Sequence, residues 1–174
     1  MKKLFNATIT SPLGPLLIVA TAQQLLAVWM QDQKYFGHKI DLTSLSGQQN
    51  HLTDAASRWL QQYFAGQKPQ ATALPLNPQG TEFQRQVWQA ISQIPYGQVR
   101  TYQQLAEDLQ RPHSARAIGQ AVGHNPISII IPCHRVVGSQ GQLTGYAGGL
   151  SRKQWLLNHE KNRACYNFII KKNF

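Results

Sequence analysis

The chain has 174 residues, with 17 Lys and Arg against 7 Asp and Glu, a formal net charge of +10. At about 150 residues per domain this length allows one compact domain or two small ones, and 42% hydrophobic with 14% charged residues excludes a disordered basic tail. The 23 glutamines supply much of the polarity, so the positive balance reflects scarce acids as well as bases, and it predicts affinity for a polyanion, either nucleic acid or an anionic membrane surface.

The first 22 residues imitate a secretory signal, with Lys2 and Lys3 before an uncharged stretch that ends in Ala20-Thr21-Ala22. A signal needs roughly 7–15 consecutive apolar residues. Asn6, Thr8, Thr10, Ser11, Pro12, Gly14 and Pro15 interrupt this one. No stretch reaches the roughly 20 apolar residues of a bilayer span, so the expectation is a cytoplasmic protein with no membrane partner. The two cysteines, Cys133 and Cys165, make neither a disulfide framework nor a four-thiolate zinc site and suit a reducing compartment.

Short β-rich runs at 4–10, 15–21 and 25–30 are separated by Ser11-Pro12-Leu13-Gly14 and Ala22-Gln23-Gln24, which predicts an antiparallel meander. A helix follows over 52–64, where Leu52, Ala55, Ala56, Trp59, Leu60, Tyr63 and Phe64 recur at helical spacing and Gly66 is the stop. Pro69, Pro75, Pro78 and Gly80 mark a linker. The expected organisation is therefore an α/β unit over 1–68, a linker over 69–80 and a second unit over 81–174. Residues 1–80 carry six basic and three acidic groups, and 81–174 carry eleven and four, so the polyanion argument belongs mainly to the second unit.

In that unit Thr81 is a good N-cap for a helix with Phe83, Val87, Ala90, Ile91 and Ile94 on one face, ended by Pro95-Tyr96-Gly97. Thr101 caps a second helix over 102–109, and after Arg111-Pro112 a third runs over 114–123, an arrangement that resembles a helix-turn-helix. Ala115, Ala117, Gly119, Ala121 and Gly123 leave the third helix thin, with Arg116 its only charge. Small residues allow close approach to another surface, and periodicity leaves open whether that surface is a neighbouring helix or a nucleic-acid groove.

Asn125-Pro126 breaks this helix, and the apolar run 127–131 reads as a buried strand. Pro132-Cys133-His134-Arg135-Val136-Val137 follows directly. A thiolate is the nucleophilic form of cysteine and a nearby base promotes it, so Cys133 beside His134 is placed for activation, although an inert core cysteine is the commoner fate of a free thiol. Neighbours on a strand point to opposite faces, so the histidine would act through a water or a bend. Zinc is a poor alternative, since no paired ligand spacing surrounds the cysteine.

These residues, with Asn125-Pro126 before them and Gly145-Tyr146-Ala147-Gly148-Gly149 after them, resemble the active-site region of the O6-alkylguanine-DNA alkyltransferases. The resemblance takes in Phe83-Gln84-Arg85-Gln86-Val87-Trp88, Pro95-Tyr96-Gly97, Thr101-Tyr102, Ala115-Arg116-Ala117-Ile118-Gly119, Lys153-Gln154-Trp155-Leu156-Leu157 and His159-Glu160, and more loosely the N-terminal half of the bacterial constitutive form. It implies an α+β fold, a ribonuclease-H-like N-terminal domain plus a winged-helix-like C-terminal domain. It also implies stoichiometric, irreversible transfer of an alkyl group from O6 of guanine, and less generally O4 of thymine, to Cys133.

The resemblance further implies that His134 activates the thiol through a water and that Glu160 orients and charges that histidine. Tyr102 would donate toward guanine N3, the carbonyls of Cys133 and Val136 would accept from the exocyclic amine, and the amide of Ala147 would face O6, with Tyr146 beside it in the base site. Asn125 would tie the thin helix to the active-site segment. That helix would lie in the minor groove through Ala115, Ala117 and Gly119, with Arg116 filling the gap left by a flipped nucleotide and Thr101 and Arg135 also at the DNA.

The expected partner is double-stranded DNA carrying O6-alkylguanine or O4-alkylthymine, bound by a monomer, with cooperative binding left open. No cofactor is expected. Some relatives bind zinc through N-terminal cysteines, but no cysteine precedes Cys133, so no metal is expected either. The tail over 161–174, with Cys165, departs from the family pattern and reads as a basic surface extension, with a second thiol acceptor as an outside alternative. Two other functions compete: a lesion-binding protein without transfer, against which Cys133 argues, and a sequence-specific regulator, for which the third helix lacks the usual set of base-reading side chains.

Overall fold

The structure, a computed structural model, describes residues 3–172, with side chains up to Lys161. Cys165 and the expectations placed on it lie outside the described side chains. The predicted meander forms as β1 (Phe5–Ile9), β2 (Leu16–Ala20) and β3 (Leu25–Met30), antiparallel in that order. Its turns are set locally. Ser11 accepts from the Leu13 amide at 3.1 Å, Gly14 takes a φ of 93° that favours glycine, and Thr21 accepts from the amides of Gln23 and Gln24. All six residues of β3 are buried, because α1 covers one face and the loop carrying Ile40 and Leu45 covers Ala27 and Trp29 on the other.

Helix α1 (His51–Phe64) starts from Asn50, whose side chain accepts from the amides of Leu52 and Thr53 in a capping box. The segment expected to link the two halves is laid along β3: the Leu25 amide donates to Pro75 at 2.9 Å and the Asn77 amide to Leu25 at 2.8 Å. Capping boxes also begin α2 (Glu82–Ser92), from Thr81 with Gln84, and α3 (Tyr102–Asp108), from Thr101 with Gln104. Helix α4 (Ala115–Gly123) packs on both, and the Trp88 indole nitrogen donates to Ala121 at 2.8 Å. Two-residue strands β4 (Arg100–Thr101) and β5 (Val136–Val137) pair in parallel, and α5 (Leu150–Lys172) returns against the turn before β5. One hydrophobic core runs through both halves, from Ile18 and Met30 to Trp88, Ile118 and Leu156.

The predicted strand over 127–131 is corrected. The run is buried, but only Ile127 bridges to Val28, and the chain then turns, with Ile129 at a φ of 72° and the Ile131 amide donating to Ile127 at 3.0 Å. An apolar run reports burial, and here Pro126 and Pro132 bracket it and cannot donate to a ladder. Left-handed backbone at a β-branched residue costs on the order of 1–3 kcal/mol, held by the packing around it. Among the described residues no helix is long and apolar enough to cross a membrane.

Gly80 sits on the Trp88 ring, where a Cβ would lie 2.3 Å from Cη2. The indole is buried and pinned by its bond to Ala121, so it cannot withdraw. Gly80→Ala should lose about 1–3 kcal/mol of stability in urea denaturation, and an unchanged midpoint would contradict this packing.

Candidate active site

Cys133 opens a single 3-10 turn, Cys133–Arg135, directly after Pro132. The cysteine and histidine are therefore not opposed across a pleat as a strand would have them. Asn125, at the end of α4, organises the approach: its Oδ1 accepts from the Ile127 amide at 3.0 Å, and its Nδ2 donates to Ile131 at 2.8 Å and to the Cys133 sulfur at 3.1 Å. Cys133 is 4% exposed. Burial pushes its thiol up, while the Asn125 hydrogen bond and the Lys153 ammonium pull it partly back. The resting sulfur is a thiol that needs a base.

A candidate base, His134, is adjacent in sequence. His134 is fully buried, and its Nε2 meets Glu160 Oε1 at 2.6 Å. Burial holds the imidazole below its ordinary value against the pull of Glu160, so the ring is neutral at pH 7 and Nε2 carries the proton donated to the carboxylate. Nδ1 is then the lone-pair side, and it has no hydrogen-bond partner among the described residues. Glu160 is 1% exposed and collects donors from several elements: Arg135 Nε at 2.9 Å and Nη2 at 3.0 Å, the Gly97 amide at 3.1 Å and the Tyr63 hydroxyl at 2.7 Å. Burial alone would raise this carboxyl, but the hydrogen bonds from His134 and Arg135 and the positive charge of Arg135 outweigh it and hold Glu160 well below the usual carboxylate range.

Arg135 therefore corrects an expectation. It was expected at the DNA, but its guanidinium is buried, spent on Glu160 and on the Ile94 carbonyl at 2.6 Å, and leans over the Tyr96 ring. Lys153 is another buried cation. Its Nζ donates to Val136 at 2.5 Å and to Gly145 and Thr144 at 3.3 and 3.4 Å, and burial pushes its pKa down to about 8. The Val136 carbonyl, expected to accept from a guanine amine, already accepts from Lys153.

Beside these groups lies an open cavity of about 630 Å³, walled by Tyr102, Arg116, Gly119, Tyr146 and Ala147 and, from the N-terminal half, Tyr35. Tyr35 stacks on His124 with ring centroids 4.0 Å apart, and the Lys34 amide donates to the Ala147 carbonyl at 2.9 Å. The Tyr146 hydroxyl is buried next to the thiol, and burial and the neighbouring sulfur both raise its pKa. Tyr102 donates to the Thr144 carbonyl at 2.9 Å, and burial raises its pKa too, which keeps it a protonated donor. On α4 Ile118, Ala121 and Val122 are buried and Gly119 lets Tyr102 approach, as the neighbouring-helix reading of the small residues has it, while Arg116 and Ala117 are exposed.

The family model of the 6-O-methylguanine DNA methyltransferase DNA binding domain matches residues 82–162, and that of the ribonuclease-like domain of the same family matches residues 4–78. This chain belongs to that family. It is similar to the methylated-DNA--protein-cysteine methyltransferase of Shigella flexneri, 44% identical over 176 residues that cover 92% of this chain and 97% of that one. A Mycobacterium tuberculosis protein of the same name is 43% identical, covering 90% and 92%. The crystal structure of Mycobacterium tuberculosis OGT in complex with DNA superposes with a TM-score of 0.82 at 41% identity, covering 91% of this chain and 94% of that chain. The expected α+β class, a ribonuclease-like half and a DNA-binding half, is the fold of this methyltransferase family member.

Of the residues singled out from sequence, Cys133, His134, Glu160 and Asn125 are brought into one buried cluster, and Tyr102, Tyr146, Ala147, Ala115, Arg116 and Gly119 around one cavity. Thr101 caps α3, and its hydroxyl accepts from the Gln104 amide. Sequence reasoning missed Lys153, Tyr63 and Gly97. Lys153 carried a signal, since with Leu156 and Glu160 it repeats at helical spacing on one buried face of α5. Tyr63 lies 97 residues from Glu160 and carried none. Among the described residues no group of three or more His, Cys, Asp or Glu side chains is placed to hold a metal.

Glu160→Gln leaves the Arg135 guanidinium buried without its counter-charge, a loss of about 3–5 kcal/mol at pH 7. Because the folded-state carboxyl is depressed, its contribution is present above the unfolded pKa and is lost as pH falls through the folded one. Denaturant melts should therefore show the gap between wild type and variant narrowing as pH drops below about 4.5, and a gap that stays constant contradicts the pairing.

Proposed function

We propose that this chain repairs DNA by moving the alkyl group of O6-alkylguanine onto Cys133 in one irreversible step. The observation that carries the proposal is the buried cluster in which Asn125 holds the sulfur and the next residue, His134, is paired with Glu160 through Nε2 and has no partner for Nδ1 among the described residues. The names of the relatives and the DNA complex of the Mycobacterium tuberculosis protein support it.

The thiol proton passes, through a water, to His134 Nδ1, and the imidazolium is stabilised by Glu160. The sulfur lone pair attacks the alkyl carbon, the carbon–O6 bond breaks, and its electron pair stays on guanine. Tyr102 turns its hydroxyl from Thr144 to guanine N3 to meet that charge, and the proton that left the thiol ends on the base. The thioether has no route back, so each molecule acts once. The Ala147 amide faces O6, the Cys133 and Val136 carbonyls receive the exocyclic amine, and Tyr146 walls the base site.

Cys133 is too deeply buried to meet O6 inside a stacked duplex, so the nucleotide must leave the helix into the cavity. Extrusion costs a few kcal/mol, which the exposed Arg116 offsets by occupying the gap, while Ala115, Ala117 and Gly119 allow α4 to sit in the minor groove. The reading extends to O4-alkylthymine, to a cytoplasmic monomer, and to a division of labour in which 81–174 holds DNA and acceptor, 1–68 buttresses them and 69–80 joins the two.

DNA bearing radiolabelled O6-methylguanine should transfer one label per molecule to Cys133, and Cys133→Ser should transfer none. Label that stays on DNA would instead support lesion binding without transfer. Arg116→Ala should slow repair in duplex by roughly tenfold or more, the equivalent of losing about 1.4 kcal/mol or more of flipping support, while sparing transfer from free O6-benzylguanine. Equal losses on both substrates would refute the flipping role.

A further inference from the structure

The Tyr63 ring is a core element of α1, stacked on Trp59 with centroids 5.7 Å apart and flanked by Phe64, Tyr96 and His159. That packing needs only the ring. The hydroxyl is buried, and a buried hydroxyl costs free energy unless it is hydrogen-bonded. Its partner is Glu160 Oε1, the oxygen that already receives His134 Nε2 and Arg135 Nη2. The carboxylate has four other donors, so the phenol is not needed to neutralise it.

We propose that Tyr63, from the N-terminal half, is a positioning residue for alkyl transfer, its phenol holding Glu160 Oε1 in line with His134 and sharing the carboxylate's negative charge. The inference rests on the proposed transfer to Cys133 and deepens it: the ribonuclease-like half takes part in the chemistry through one hydrogen bond. A donor on Oε1 makes the carboxylate a weaker acceptor for the imidazolium, so His134 remains neutral to lower pH. Burial raises the Tyr63 phenol, which ensures that it donates.

The other groups around His134 and Glu160 stay constant when the phenol is removed. They are Arg135 and Cys133 on the same turn, Lys153 and His159 on α5, Tyr96 on the turn after α2, and Tyr146 beside the thiol. Removing the hydroxyl should therefore raise the His134 midpoint.

The test is the titration of the His134 ring nitrogens by NMR in wild type and Tyr63→Phe, with the pH profile of label transfer beside it. The midpoint should rise by about half a pH unit or more, and the acid limb of the rate profile should move with it, a loss of about threefold below the limb. 3-Fluorotyrosine at position 63, a stronger donor that keeps the ring, should move the midpoint down. Trp59→Phe, which trims the stacked ring without touching Glu160, should leave the midpoint where it is. In a Glu160→Gln background Tyr63→Phe should add no shift. A midpoint unmoved by Tyr63→Phe, or unmoved by fluorotyrosine should the phenylalanine variant not fold, overturns the inference, as does a uniform scaling of the rate at every pH. The titration needs no DNA, so it decides the role of Tyr63 even where wild type fails to transfer label, a failure that would instead overturn the proposed transfer.

Discussion

The buried carboxylate of Glu160 is the constraint around which the rest of the site is arranged. A charge at 1% exposure is tolerated only when its lone pairs are filled, and the five donors that fill them come from α1, the turn after α2, and the turn carrying Cys133. Satisfying one oxygen pair therefore fixes how three separated stretches of chain sit against α5. The cost of a misplaced partner is an uncompensated buried ion, which makes the arrangement cooperative. It also explains why Arg135, which would be available to phosphate if exposed, is drawn inward: its planar fork matches a carboxylate bidentately.

The same burial that demands pairing at Glu160 quiets the nucleophile. Burial makes the Cys133 thiol reluctant to ionise, and the opposing influences, Asn125 and Lys153, are structural groups in their own right. Asn125 closes the turn out of α4, and Lys153 gathers the carbonyls of Val136, Thr144 and Gly145. The loop beside the cavity is thus tied to the charge that assists the sulfur, so a displacement of one moves the other.

Local structure was largely legible from sequence, because its causes are local. Ser11 and Gly14, Asn50, Thr81 with Gln84, and Thr101 with Gln104 make their turns and caps with neighbours within four residues. The cysteine, histidine and glutamate were legible as a family pattern, and helical periodicity would have added Lys153. The run over 127–131 was legible as buried and not as bent. Hydrophobicity encodes exclusion from water, whereas the left-handed backbone at Ile129 belongs to the turn that follows the Ile127 bridge to Val28 and is held by tertiary packing.

The order of the elements, the composition of each half and the candidates for the reactive residues are legible in the chain alone. Only the tertiary structure decided which charges are spent inside and which face outward. Arg116 and Arg135 are alike as residue types, yet one is exposed on α4 and the other is locked to Glu160. Tyr35 and Tyr63 are both ordinary tyrosines of the first half, yet one walls the cavity and the other reaches the carboxylate. The physical reason is that a buried charge selects its partners by distance and orientation in three dimensions, and neither quantity is written in the spacing of residues along the chain.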